Sequence, residues 1–93
     1  MNLYLVHCGY YDNDICDGLY ESHANFFVPA KSFDDAREKL KLVSDFQTKR
    51  MHIDGLQEIQ VIGGFRVRLE QDTELGEENR LINFKYRALG PKS

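Results

Sequence analysis

Along residues 3–10 the apolar side chains fall on both faces of an extended chain, Leu3 and Leu5 on one and Tyr4, Val6 and Cys8 on the other. This two-sidedness predicts an interior strand covered from both sides. Residues 11–20 carry Asp12, Asn13, Asp14, Asp17 and Gly18 and read as a polar connection with turn chemistry. A second strand is expected over 21–29, ending where Pro29 can no longer donate to a ladder. Ser32 then offers a helix cap, with Asp34 and Asp35 suited to the positive end of the helix dipole. Phe33, Ala36, Leu40 and Val43 follow at helical spacing, while Arg37, Glu38, Lys39 and Lys41 turn outward. The pattern predicts an amphipathic helix over 33–45 that fades by 48 and covers one face of a sheet.

Met51-His52-Ile53-Asp54-Gly55 sets a compact polar cluster ahead of two alternating runs joined by Gly63-Gly64. This reads as a loop followed by a β-hairpin over 56–61 and 65–69. If Ile59, Val61, Phe65, Val67 and Leu69 share the buried face, a three-residue loop at 62–64 is required. It pairs Val61 with Phe65 and Ile59 with Val67, sets Glu58 against Arg68 and Gln60 against Arg66, and leaves Gly64 left-handed in a bulge. Residues 71–80 form an acidic loop. In 81–88, Ile82, Phe84 and Tyr86 alternate with Asn83, Lys85 and Arg87, as in a half-buried strand.

The expected architecture is α+β, with one amphipathic helix packed on a mostly antiparallel sheet of about five strands in the order β-β-α-β-β-β. A single domain spans 1–90, and 91–93 form a frayed tail. A helix of about 13 residues, ~20 Å long, cannot cover both faces of such a sheet. The simplest cover for the bare face is a second copy of the chain, so a homodimer is expected.

Ninety-three residues suffice for one core, built here on six Phe and five Tyr with no Trp. A net charge of −3 argues against a general nucleic-acid binder. No apolar run approaches the ~18 residues of a membrane span, and the N-terminus lacks a secretory pattern. A cytoplasmic location with Cys8 and Cys16 reduced is therefore expected.

Three stretches together resemble a small bacterial domain family of unknown function: residues 3–9, residues 21–28 with Glu21 and His23, and residues 51–55 with the Gly63-Gly64 hairpin up to Leu69. Departures from the family pattern are Tyr10 where a second glycine is common, Ala24 for an Asp, Gly55 for a Ser, and the absence of a Trp near the helix end. The family occurs in one or two copies per chain, which implies that two such domains pack together. The resemblance supplies no activity.

Glu21 and His23, two apart on a strand, project from the same face, and His52 and Asp54 do likewise if their segment is extended. Four such groups suffice for a divalent-metal site or an acid–base pair. The alternative is that His52 and Asp54 bond backbone amides and tie the loop. The spacing matches no zinc signature, so no metal ligand is assigned. His7, among apolar neighbours, reads as a core histidine, and Cys8 as a small buried hydrophobe. Gly63-Gly64 is not a phosphate loop, because no Lys-Ser/Thr or helix start follows, and no cofactor is expected. The function expected is a homodimeric interaction or ligand-binding module rather than an enzyme. The alternative is a metal-binding or acid–base site built from Glu21, His23, His52 and Asp54.

Overall fold

The computed structural model describes residues 1–84. It is an α+β arrangement whose centre is strand β1 (Asn2–Tyr11), flanked by β2 (Glu21–Ala30) and β3 (His52–Ile59) in an antiparallel sheet of order β2-β1-β3. β1 and β2 pair along their whole length, from Asn2 with Ala30 to Tyr11 with Glu21. Between them, Asp12 takes the backbone amide of Asp14 on its side chain, and a short 3-10 turn over Cys16–Gly18 brings the chain back.

The facing expected for β1 holds. Tyr4, Val6 and Cys8 are buried, together with Val28 and Ala30 of β2 and Met51 ahead of β3. Helix α1 (Phe33–Leu40) closes this face with Ala36 and Leu40. The Tyr4 ring meets Phe33 edge-on at a centroid distance of 5.1 Å. Each fully buried Val or Leu contributes about 1.5–3 kcal/mol. Opposite this core lies the outer face, carrying Leu3, Leu5, His7 and Gly9 of β1 and the residues paired with them.

The start of α1 follows from local chemistry. Ser32 Oγ accepts the Asp35 amide at 3.1 Å, and Asp35 Oδ2 accepts the Lys31 amide at 2.9 Å. The first satisfies a donor that the first helical turn leaves free, and the second ties the residue before the cap to that turn. The helix does not run to residue 45 as its periodicity suggested. Val43 is extended (φ −71°, ψ 132°), and a second short helix, α2 (Ser44–Thr48), follows. The Gln47 side-chain amide donates to the Lys41 carbonyl at 2.9 Å, satisfying an acceptor exposed by the break. Val43 and Phe46 both pack against the core.

Two expectations for the second half are corrected. The polar segment around His52 is not a loop but the beginning of β3, which pairs with β1. The hairpin is a separate two-stranded ribbon, β4 (Val61–Ile62) and β5 (Phe65–Arg66), with Val61 opposite Arg66 and Ile62 opposite Phe65. Gly63 and Gly64 alone form its turn, both with positive φ (57° and 85°), as a two-residue type I′ turn requires. The three-residue loop assumed that one face of the ribbon is buried. Phe65 is 79% exposed and Val61 and Ile62 are exposed too, so no burial opposes the turn that two glycines prefer. The anticipated pairing of Gln60 with Arg66 is replaced by a Gln60–Glu58 side-chain bond of 2.9 Å. The five strands are thus divided between two sheets. Residues 81–84 are not in a strand, and the rest of the strand expected over 81–88 lies outside the described residues, as does the tail at 91–93.

Candidate functional site

The ladder registers set His23 of β2, Gly9 of β1 and His52 of β3 in one row across the outer face. Adjacent strands are about 4.8 Å apart, so the two histidines stand roughly 10 Å apart at their roots with a residue lacking a side chain between them. Glu21 lies two residues before His23 on the same face. On the other side of the row the register slips. His7 pairs with Gly55 but Cys8 with Ile53, leaving Asp54 as the extra residue of a β-bulge. The bulge lets Ile53 and Leu56, three residues apart, both pack on the core side, while His52 and Asp54 stay on the outer face.

All four tips converge above Gly9. Glu21 Oε2 lies 2.6 Å from His52 Nε2, and Glu21 Oε1 lies 3.1 Å from His23 Nε2. Asp54 Oδ1 lies 3.2 Å from His52 Nε2, and Asp54 Oδ2 lies 3.7 Å from His23 Nε2. Each carboxylate therefore gives one oxygen to each imidazole. Four acceptor oxygens face two ring nitrogens that can carry at most one proton each, a surplus of lone pairs and negative charge suited to a cation. The side chains are only partly covered, between 30% and 48% exposed, so the cluster opens to solvent. A Cβ on Gly9 would stand 2.6 Å from His52 Nε2 and 2.8 Å from Asp54 Oδ2. The glycine is what makes room for the cluster.

Sequence reasoning placed His7 in the core; it is exposed on the outer face, because side chains on a strand alternate whatever their sequence neighbours are. Its ring stacks on His23 at 4.9 Å with an interplanar angle of 14°, and its Nδ1 bonds Asn25 Oδ1 at 2.7 Å. His7, Asn25 and Gly9 are the members of this neighbourhood that sequence reasoning did not select. Their odd-numbered phase along β1 and β2, shared with Glu21 and His23, was the available signal. The side chains of His52 and Asp54 engage Glu21 and His23, not the backbone amides that the loop-tying alternative required.

Beside the cluster, β3 and the helices enclose an open depression of about 460 Å³ lined by Arg37, Lys41, Phe46 and residues 52–56. Cys8 is buried beneath the sheet; burial first, and then the Asp54 charge, push its thiol above the ordinary 9.0. Tyr10 is half-buried with Lys49 Nζ 5.1 Å from its ring centre, so it packs at the rim, whereas Tyr11 is exposed. Among the described residues no helix is long and apolar enough to cross a membrane. No family model, curated protein or solved structure matches the chain.

Proposed function

We propose that this protein binds a divalent transition-metal ion on the outer face of its sheet, through Glu21, His23, His52 and Asp54. The observation that carries the reading is the crossed arrangement above Gly9, in which both carboxylates reach both imidazoles over 2.6–3.7 Å. In a tetrahedral site with metal–ligand bonds near 2.0 Å, neighbouring ligand atoms are about 3.3 Å apart. The imidazole–carboxylate contacts bracket that spacing, each carboxylate reaching the two imidazoles with different oxygens, so closing around one ion requires each carboxylate to bring a single oxygen between them. Mixed imidazole and carboxylate ligands favour zinc, manganese, iron or cobalt over magnesium and calcium, which prefer oxygen alone.

Thermal melts with a metal panel test this. An ion at a hundred times its Kd stabilises by about 2.7 kcal/mol, which for a domain of this size raises Tm by roughly 10–20 °C. The double change His52→Ala with Asp54→Ala should abolish that rise. No rise with zinc, manganese, cobalt or nickel sinks the proposal.

A second reading concerns the rest of the outer face. Phe27 is 61% exposed there, beside Leu5, and the next row holds Pro29, Leu3 and Ile59. We infer that a second copy of the chain covers this apolar half, an arrangement that the tandem domains of the resembled bacterial family would reproduce within one chain. Light scattering should give a dimer, and Phe27→Lys a monomer. A monomer at high micromolar concentration without any substitution removes this reading.

A further inference from the structure

The geometry points to a dinuclear centre, in which Asp54 and Glu21 bridge two divalent ions and His7 completes the second. This rests on the metal-binding reading and extends it from one ion to two. Two triads on this face each bring three ligand atoms within 4.8 Å of one another: Glu21, His52 and Asp54 form one, and His7, His23 and Asp54 the other. Asp54 belongs to both. Its two oxygens are already divided, Oδ1 towards His52 and Oδ2 towards His23. Glu21 is divided in the same sense, Oε2 towards His52 and Oε1 towards His23. Two carboxylates that each span the same pair of imidazoles are the ligand pattern of ions about 3.5–4 Å apart, where each ion takes one oxygen from each bridge. A single ion cannot draw on all four oxygens and both imidazoles without leaving His7 idle.

His7 is the nearest further imidazole to this second position. Its ring stacks on His23, 4.9 Å away and 14° from parallel, so binding the second ion requires His7 to turn out of the stack until the in-plane lone pairs of both rings meet. The bond from Nδ1 to Asn25 Oδ1 requires a proton on Nδ1 and leaves the lone pair of the neutral ring on Nε2. Asn25 thus acts on the second ion only through His7 and is a positioning residue. The first ion takes His52, Glu21 Oε2 and Asp54 Oδ1; the second takes His23, His7 and Asp54 Oδ2, and Glu21 Oε1, 3.1 Å from His23 Nε2, turns towards it to complete the second bridge. Two divalent ions against two carboxylates leave an excess of positive charge on the solvent side. The chemical class that fits between them is a hydroxide or a bridging oxyanion such as a phosphate or carboxylate group.

Manganese titration followed by elemental analysis and electron paramagnetic resonance tests the proposal. The expected stoichiometry is two ions per chain, and the second equivalent should collapse the six-line signal of isolated manganese through exchange coupling. His7→Ala, at an exposed position that the fold does not need, should bind one ion and keep the six-line signal. Asn25→Ala should weaken the second ion by about 10–100-fold and leave the first unchanged. One ion per chain in the unsubstituted protein overturns the dinuclear centre and leaves the single-ion site standing, whereas no bound ion overturns both. Two uncoupled ions, or a His7→Ala protein that still binds two, also overturn it.

Discussion

Replacing Gly9 by Ala probes the site without removing any of its polar groups. The added methyl would stand 2.6 Å from His52 Nε2 and 2.8 Å from Asp54 Oδ2, against the ~3.5 Å or more of a relaxed contact. These atoms are the ends of partly exposed side chains, so they swing outward and the backbone stays in place. Gly9 has no positive φ, and Ala fits its strand conformation. Loss of unfolded-state freedom then stabilises the protein by about 0.4–1 kcal/mol. The exposed contacts loosened around His52 are worth about 0.2–1 kcal/mol each and offset that gain. Stability should change by less than about 1 kcal/mol, and Tm by less than about 8 °C. Metal binding should respond differently. Disturbing groups that merely orient ligands costs about 10–100-fold in affinity, and here the ligand tips themselves are displaced by ~0.7 Å or more. Affinity should therefore fall at least about tenfold, or ~1.4 kcal/mol. Calorimetric zinc titration beside a thermal melt reads both quantities on one sample. If Gly9→Ala melts normally and binds zinc within about twofold of the parent, no ion sits above Gly9 and the cluster argument fails.

Three further outcomes test the fold around the site. Leu40→Ala, at a fully buried position, should lose about 2–5 kcal/mol in urea unfolding; a loss under about 1 kcal/mol would mean that α1 does not close the core. Asp35 is held below its ordinary 3.8, chiefly by the Lys31 amide and then, against the opposing effect of desolvation, by Lys39. A depressed carboxylate stabilises above its unfolded pKa and loses that contribution as pH falls through the lower folded value. The stability gap between the parent and Asp35→Asn should accordingly be constant near neutrality and narrow below about pH 4, and a gap independent of pH across acid urea melts would contradict this. A thiol reagent at neutral pH should modify Cys16 quickly and Cys8 only on unfolding, because burial and then Asp54 raise the Cys8 pKa above 9.0. Stability gained by keeping Cys8 protonated is complete below 9.0 and is lost as pH rises towards the folded value; two equally fast thiols would place Cys8 outside the core.

What could be read from the chain depended on whether the deciding forces were local. The two faces of β1 were legible because each carries its own apolar set, Leu3 and Leu5 on one and Tyr4, Val6 and Cys8 on the other, and the start of α1 because Ser32 and Asp35 act within four residues of each other. The end of α1 was not, since Val43 keeps the helical spacing of the core positions although its backbone is extended. β3 was hidden by its own bulge. Ile53 and Leu56 face the core three residues apart, which breaks the period of two by which a strand is recognised. The same bulge puts Ile59 opposite Leu3 on the outer face, so the hairpin register deduced from Ile59 as a core residue was founded on the wrong phase. In the site, spacing alone put Glu21 and His23 on one side. Their meeting with His52 and Asp54 depends on strand order and register between segments about thirty residues apart, which loop-distant pairing fixes and local pattern does not.

The position of Gly9 on the central strand, with a histidine paired to it on either side, has a consequence for how portable this site is. Binding sites on small domains are commonly assembled from loops, whose shapes belong to one protein. Here the separation of the two imidazoles is dictated by the spacing between neighbouring strands, a length that all antiparallel sheets share. The site amounts to a short recipe: a glycine on a central strand, a histidine opposite it on either side, one carboxylate two residues before the first histidine and another on a bulge two residues after the second. Such a recipe can be written onto the exposed face of an unrelated three-stranded sheet, where the host would supply the geometry and the grafted residues only the chemistry.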